Sequence, residues 1–211
     1  MLTSLTTFTV AAVLLVILPG PDTLVIVRSI VRGGRRRGIW TAAGGLTGLV
    51  VWVSITAIGL ASLLRASHDA YLMLKIAGAA YLVWLGVQSI CSRSLGTTAE
   101  ASTTASRPFA GSARRCEGFG AGLATNLLNP KIGVLFVALL PGFIPAGHSV
   151  GATSVLLGGI YIVESALYVA VLIALSGPVV RWMSDARIRR RLDRMMGAVL
   201  VGFGIQLVTK A

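Results

Sequence analysis

Charged side chains are scarce in this chain of 211 residues. Asp, Glu, Lys and Arg make up 12% of the sequence, about half the share of roughly 25% that is usual in soluble globular domains. Hydrophobic residues make up 55%, and the mean hydropathy is +0.83. This shortage of charge excludes an ordinary water-soluble globule and favours a chain that lies in a lipid bilayer.

Six apolar stretches are candidate membrane spans, since the hydrocarbon layer of about 30 Å needs roughly 20 residues of helix; the sixth is shorter than the other five. The first stretch does not look like a cleaved signal peptide, because residues 1–10 contain no Lys or Arg and no small-residue cleavage site ends the apolar run. We therefore predict an all-α integral membrane protein with a single transmembrane domain, residues 1–211. The six predicted spans cover residues 5–27, 38–64, 70–91, 118–141, 150–176 and 195–209.

Acidic residues are fewer still, with 7 Asp and Glu against 19 Lys and Arg and a net charge of +12. The basic residues cluster in alternate loops, which follow spans one, three and five. By the positive-inside rule these loops are cytoplasmic, which leaves both termini outside. The clusters are not part of a soluble recognition module, so nucleic-acid binding is not expected. They contain Arg28, Arg32, Arg35, Arg36 and Arg37, then Arg93, Arg107, Arg114 and Arg115, then Arg181, Arg187, Arg189, Arg190, Arg191 and Arg194.

Histidine and cysteine occur only twice each. His68 and His148 fall in predicted external loops, so the spans contain neither a catalytic dyad nor a metal cluster, and we predict no enzyme activity, metal site or cofactor. Cys91 and Cys116 flank the third loop on its cytoplasmic side, where a structural disulfide is not expected. That loop, residues 92–117, is rich in Ser, Thr and Ala and is interpreted as a cytoplasmic linker between two halves.

Two of the apolar stretches are interrupted by proline at matching places. Proline inside a helix removes a backbone hydrogen bond, and in hydrocarbon such a break is tolerated only around a buried or wet cavity. Asn and Gly are good N-cap residues and Pro suits the first helical position, so each break predicts the start of a new half-helix with free backbone donors. The first break comprises Pro19, Gly20, Pro21 and Asp22, and the second comprises Asn129, Pro130 and Lys131.

The two halves of the chain show a weak internal repeat in chain order. Residues 79–88 of span three share Ala, Leu, Val, Gly and Gln at the same offsets with residues 197–206 of span six. With three spans in each half, the second half enters the membrane from the opposite side, which predicts two inverted repeats with a site near the midplane. Repeat one is residues 1–91 and repeat two is residues 118–211. Glycines that predict close helix packing are Gly44, Gly45, Gly48, Gly118, Gly120 and Gly122.

Four charges lie within the predicted spans: Lys75 near the start of span three, and the three site candidates Asp22, Lys131 and Glu164. Lys131 is roughly ten residues, or about 15 Å, from either end of span four, which is beyond the reach of a snorkelling lysine. Glu164 lies near the middle of span five, where a charge costs on the order of 3 kcal/mol on insertion scales. Asp22 suits the positive end of its half-helix, whereas Lys131 opposes that dipole. A structural ion pair of Lys131 with Glu164 or Asp22 remains open beside a role in binding.

Several motifs together resemble the lysine exporter and homoserine/threonine exporter family (LysE/RhtB) of bacterial inner-membrane amino-acid exporters. The resemblance implies efflux of amino acids or related small metabolites, coupled to proton or ion movement, by an oligomer in the bacterial inner membrane. The motifs run from Leu18 to Asp22, from Gly34 to Gly38, over the glycines of span two, from Leu74 to Gly86, and from Thr125 to Lys131, which adds Asn126 to the candidate residues.

We therefore predict a secondary active exporter of amino acids or related small metabolites, driven by the proton motive force. The alternatives are a permease for metal or other inorganic ions, which would need several intramembrane His, Asp or Cys ligands, and a membrane redox carrier, which would need cysteines inside spans one and four. Beyond membrane lipids, the expected partners are the substrate and a coupling proton or ion. The candidate residues for binding or coupling are Pro19, Gly20, Pro21, Asp22, Asn126, Asn129, Pro130, Lys131 and Glu164.

Overall fold

The computed structural model describes residues 1–91, 111–145 and 147–177, together with scattered positions between 191 and 205. The part of the chain that it describes is helical throughout and contains no strand, as the composition predicts. The helices are α1 (Leu2–Ile17), α2 (Pro21–Ala66), α3 (His68–Cys91), α4 (Gly111–Leu127), α5 (Pro130–Val134) and α6 (Val150–Ala174), and α5 continues into a π-helical turn (Leu135–Leu139) and a 3-10 turn (Leu140–Phe143).

Apolar helices of membrane-spanning length are present. Within the described residues, Pro21–Leu63 and Val150–Ala174 each suffice by length and composition. The pair Cys116–Leu127 and Pro130–Phe143 passes the same test together and is bent by 49° at its break. Shorter apolar helices cover Leu2–Ile17 and Leu72–Gln88. These helices fit a membrane protein.

Helix α2 is a hairpin of two segments rather than one straight rod. A straight helix of 46 residues would be roughly 69 Å long, more than twice the hydrocarbon thickness. Gly33 and Gly34 leave helical geometry, and Gly34 has φ +72°, a conformation that favours glycine. The Thr41 hydroxyl donates to the Ser29 hydroxyl at 2.9 Å across 12 residues, a separation of about 18 Å in a straight helix. Residues 21–32 and 35–66 therefore run antiparallel.

Both proline breaks occur where the sequence predicts them. Helix α1 ends at Ile17, and α2 begins at Pro21 with Gly20 in an extended conformation as its N-cap. In the second half α4 ends at Leu127, and α5 begins at Pro130 with Asn129 as its N-cap.

The ends of the later elements differ from the predicted ones. Helix α4 begins at Gly111, so the last residues of the predicted 92–117 linker are helical. The helix continues beyond the apolar stretch into a polar and basic segment, which a hydropathy profile does not detect. Residues 92–110, and 206–211 at the end of predicted span six, lie outside the described residues, whereas the described positions between 191 and 205 are helical.

Close contacts at glycines show the relative directions of the helices, because a residue without a side chain lets two backbones approach closely. A Cβ at Gly44 would overlap the Phe119 carbonyl, and one at Gly48 would meet Asn126, so the second segment of α2 and α4 run parallel. The pairs Gly86 with Gly197 and Gly204 with Ala79 show that α3 and the residues of span six run antiparallel. Gly118 and Gly122 also face α2, as predicted, while a Cβ at Gly120 would meet open space.

The apolar core surrounds the two breaks. Phe8 of α1 packs edge-on against Phe143, and Phe136 packs against Tyr161 of α6 in the same way. Leu15 and Leu157 complete this cluster and are almost fully buried. The core therefore fixes the ends of α1 and α5 against α6.

Candidate functional site

The two proline breaks lie against each other inside the described bundle. The Lys131 ammonium donates to the Leu15 carbonyl oxygen at 2.6 Å and to the Leu18 carbonyl oxygen at 3.0 Å. Leu15 lies in the last turn of α1 and Leu18 is its C-cap residue, at the end where helix geometry leaves acceptors unpaired and the dipole is negative. Lys131 opposes the dipole of its own helix α5, and the C-terminal end of α1 compensates for that conflict.

Asn129 joins both breaks through its two side-chain atoms. Its Oδ1 accepts a hydrogen bond from the Lys131 backbone N–H at 3.0 Å, which caps α5. Its Nδ2 donates to Asp22 Oδ2 at 2.5 Å. Its side chain is only 3% exposed, so these bonds are shielded from water and tie the start of α5 to the start of α2.

The backbone donors at the start of α5 are occupied, contrary to the expectation that they are free. The N–H groups of Ile132 and Gly133 both donate to the Asn129 carbonyl at 3.1 Å, and the Lys131 N–H is taken by the Asn129 side chain. The hydrogen-bonding groups that this break can offer a substrate are therefore side chains, because Asn129 already accepts from the backbone N–H groups of the first turn of α5.

Two acceptor atoms near the breaks remain without a hydrogen bond in the described part of the protein. They are Asp22 Oδ1 and Asn126 Oδ1, and both atoms are buried. Lys131 has three N–H donors, of which two bind the α1 carbonyls. A buried polar group without a partner is costly. Lys131 thus keeps one uncommitted N–H beside the two uncommitted acceptors.

A cavity of about 70 Å³ lies between the breaks, α6 and the second segment of α2. That volume has room for several water molecules. Five of the predicted residues line it, namely Gly20, Asp22, Asn126, Asn129 and Lys131.

Four predicted residues do not line the cavity. Pro19, Pro21 and Pro130 shape the breaks without facing it, and Glu164 is absent from its lining. Both carboxylate oxygens of Glu164 are covered, and they have no hydrogen bond within the described residues. Neither Glu164 nor Asp22 forms a direct ion pair with Lys131 in the part of the chain described.

Sequence reasoning missed the polar residues that α6 and α2 contribute. Tyr161, Ser165 and Tyr168 line the cavity from α6, and Thr23 lies beside Tyr168. Their spacing of four and then three residues places the α6 side chains on one helix face. The spacing alone could have indicated a polar face on this helix, but hydroxyl and phenol side chains are common in apolar helices, whereas a charged side chain is rare there.

Helices of membrane-spanning length, with two proline breaks that meet at a cavity lined by Asp22 and Lys131, are the architecture of a membrane transport protein. The LysE type translocator family matches residues 13–211. The chain belongs to this family.

Similar proteins from several bacteria match the chain along nearly its whole length. An uncharacterized membrane protein of Pseudomonas aeruginosa is 31% identical over 99% of this chain and 96% of its own length. An uncharacterized membrane protein of Bacillus subtilis is 29% identical over 96% and 97%. The threonine efflux protein of Escherichia coli K12 is 29% identical over 95% and 96%. No solved structure shows a significant match.

Proposed function

We propose that this protein exports an amino acid, or a related small zwitterion, across the bacterial inner membrane. The observation that carries the proposal is the cavity in which Asp22 and Lys131, of opposite charge, face the same space from the two helix breaks. A zwitterion carries the complementary pair of charges. The similarity to proteins named for threonine efflux supports the same substrate class.

The uncommitted groups suit the two ends of an amino acid. The remaining Lys131 N–H would donate to the substrate carboxylate, and the partnerless Asp22 Oδ1 would accept from its ammonium. Both bonds are charge-assisted, and such bonds are roughly twice as strong as neutral ones. Substrate binding would give both groups a hydrogen-bond partner.

Transport would proceed by alternating access of two inverted repeats around this site. Span three and span six run antiparallel. The second segment of α2 and α6 also run antiparallel, because Gly158 approaches Val53 whereas Gly151, earlier in α6, approaches Ala57, later in α2. These are the directions that an inverted repeat requires. The bonds of Lys131 and Asn129 hold the halves together, so substrate competition for these groups would release them.

Coupling to the proton motive force would use Glu164. Its carboxylate is covered and unpaired within the described residues, and a charge at this depth is costly, so a proton is a suitable partner. With Glu164→Gln, we expect substrate exchange at equal pH to persist and acceleration of efflux by a pH gradient to be lost. Retained acceleration by the gradient would contradict this role.

The proposal is tested with the purified full-length protein in liposomes loaded with radiolabelled threonine. We expect Lys131→Ala and Asp22→Asn each to lower efflux at least tenfold, about the effect of one lost charge-assisted bond. The matched control is Asp69→Asn, since Asp69 is also in the first turn of a helix but is exposed. Efflux that is unchanged in both site variants, or movement of Mn²⁺ but of no amino acid, would overturn the proposal.

A further inference from the structure

We infer that the face of α6 formed by Tyr161, Ser165 and Tyr168, with Thr23 of α2, is a subsite for the substrate side chain and selects small, neutral side chains that form hydrogen bonds. This inference rests on the proposed function. The α6 side of the cavity, which the residues of the two helix breaks do not line, would then hold the substrate side chain.

The ammonium and carboxylate of a zwitterionic substrate would already pair with both charged side chains that line the cavity. Among the described lining residues, Asp22 and Lys131 are the charged ones, and the substrate's ammonium and carboxylate would occupy them. A charged substrate side chain would then lie in a buried cavity without a counter-charge, which is strongly unfavourable. The cavity therefore disfavours lysine, arginine, aspartate and glutamate.

The α6 face offers hydroxyl groups in place of charges. Ser165 lines the cavity, and its hydroxyl makes no hydrogen bond within the described residues, unlike Thr47 and Ser54, which bond to the preceding helical turn. A hydroxyl both donates and accepts, so Ser165 can pair with a hydroxyl or an amide of the substrate. Tyr168 is half-buried and its hydroxyl pairs with the Thr23 side chain; because a hydroxyl both donates and accepts, it adds a second group with capacity for the substrate.

The size of the cavity limits the side chain as well. Packed residues bound the cavity on its α6 side, because Tyr161 is 2% exposed and stands edge-on to Phe136. The fixed aromatic ring closes the α6 side of the cavity. A large aromatic or long aliphatic side chain would require this packing to open.

The test compares isosteric substrates in liposomes that contain the full-length protein. Valine has a methyl group where threonine has its hydroxyl. A site that hydrogen-bonds the hydroxyl strongly rejects the analogue that lacks it. We expect the wild type to prefer threonine, and Ser165→Ala and Tyr168→Phe each to reduce the threonine-to-valine ratio about tenfold, the scale of one hydrogen bond. Ser154→Ala is the matched control, because Ser154 is on the same helix, fully buried and outside the cavity.

Each outcome has a distinct meaning. An unchanged ratio in both α6 variants, or wild-type efflux of lysine or glutamate as fast as that of threonine, would overturn the subsite while leaving amino-acid export intact. Failure of the wild type to move any amino acid would overturn the proposed function itself. A ratio lowered as much by Ser154→Ala as by Ser165→Ala would also count against the subsite, because it would show a general packing effect.

Discussion

The Lys131 ammonium lies 2.6 Å from the Leu15 carbonyl oxygen, although the two residues belong to different halves of the chain. The bond places a positive charge at the negative end of α1, where it also satisfies an acceptor that the helix leaves unpaired. Lys131 is 9% exposed, so this contact is shielded from competing water. The same side chain therefore joins the halves and provides the charge that faces the cavity.

The first prediction concerns the energetic coupling of Lys131 and Asp22. Either single change, Lys131→Met or Asp22→Asn, leaves one charge near the cavity without its opposite, while the double variant leaves neither. We expect the double variant to lose less free energy of unfolding than the two single variants lose together, by roughly 0.5–3 kcal/mol. Thermal unfolding of the four proteins in detergent measures this. Strict additivity would show that the two charges do not interact.

The second prediction separates the two roles of Asn129. Asn129→Ser and Asn129→Asp both keep an oxygen that can cap α5. Only the aspartate brings a negative charge against Asp22 in place of the donor that Asn129 provides. We expect Asn129→Asp to lower efflux at least about tenfold more than Asn129→Ser does. Equal efflux in the two variants would leave capping as the sole role of Asn129.

The third prediction tests the contact between α2 and α4. A Cβ at Gly122 would overlap the Thr41 carbonyl, a backbone atom that cannot move aside, whereas a Cβ at Gly120 would meet open space. We expect Gly122→Ala to lower the free energy of unfolding by roughly 1–3 kcal/mol or more. Gly120→Ala should leave it unchanged or raise it slightly, since Ala favours helix over Gly. Unfolding in a denaturant series compares the two, and equal stability would contradict the close approach.

The fourth prediction concerns orientation in the membrane. Cys116 is exposed near the start of α4, which follows a loop predicted to be cytoplasmic. In a Cys91→Ser protein, an impermeant maleimide should label Cys116 in inside-out vesicles and not in right-side-out ones. Asp69→Cys in a chain without Cys91 and Cys116 should show the reverse pattern. Labelling of Cys116 from the outer face would invert the predicted topology.

The sequence predicted the features that violate local rules. Proline and charge inside apolar stretches are rare and expensive, so both breaks, Lys131 and Asp22 could be found without a structure. The two-glycine turn at Gly33 and Gly34 was expected to be a longer loop, because the basic residues around it hide the helices that end and resume directly beside these glycines.

What the sequence could not provide was the partner of each side chain. Lys131 was expected to pair with Glu164 or Asp22, or to bind a substrate carboxylate, but its ammonium binds carbonyls 113 and 116 residues away along the chain. Glu164 carries the same charge signal as Asp22, yet the structure leaves it out of the cavity lining. Burial and depth are readable from composition, whereas the direction in which a side chain points depends on tertiary packing.

The bonds from Lys131 to Leu15 and Leu18 also bear on how the chain is made. During synthesis the end of α1 enters the membrane long before residue 131 exists, and until then these two carbonyls lack the partner that the finished protein gives them. In hydrocarbon an unpaired carbonyl costs several kcal/mol, so the first half alone is an incomplete structure. Insertion of the second break is thus a step of assembly, and α1 reaches its final state only when the later half of the chain arrives.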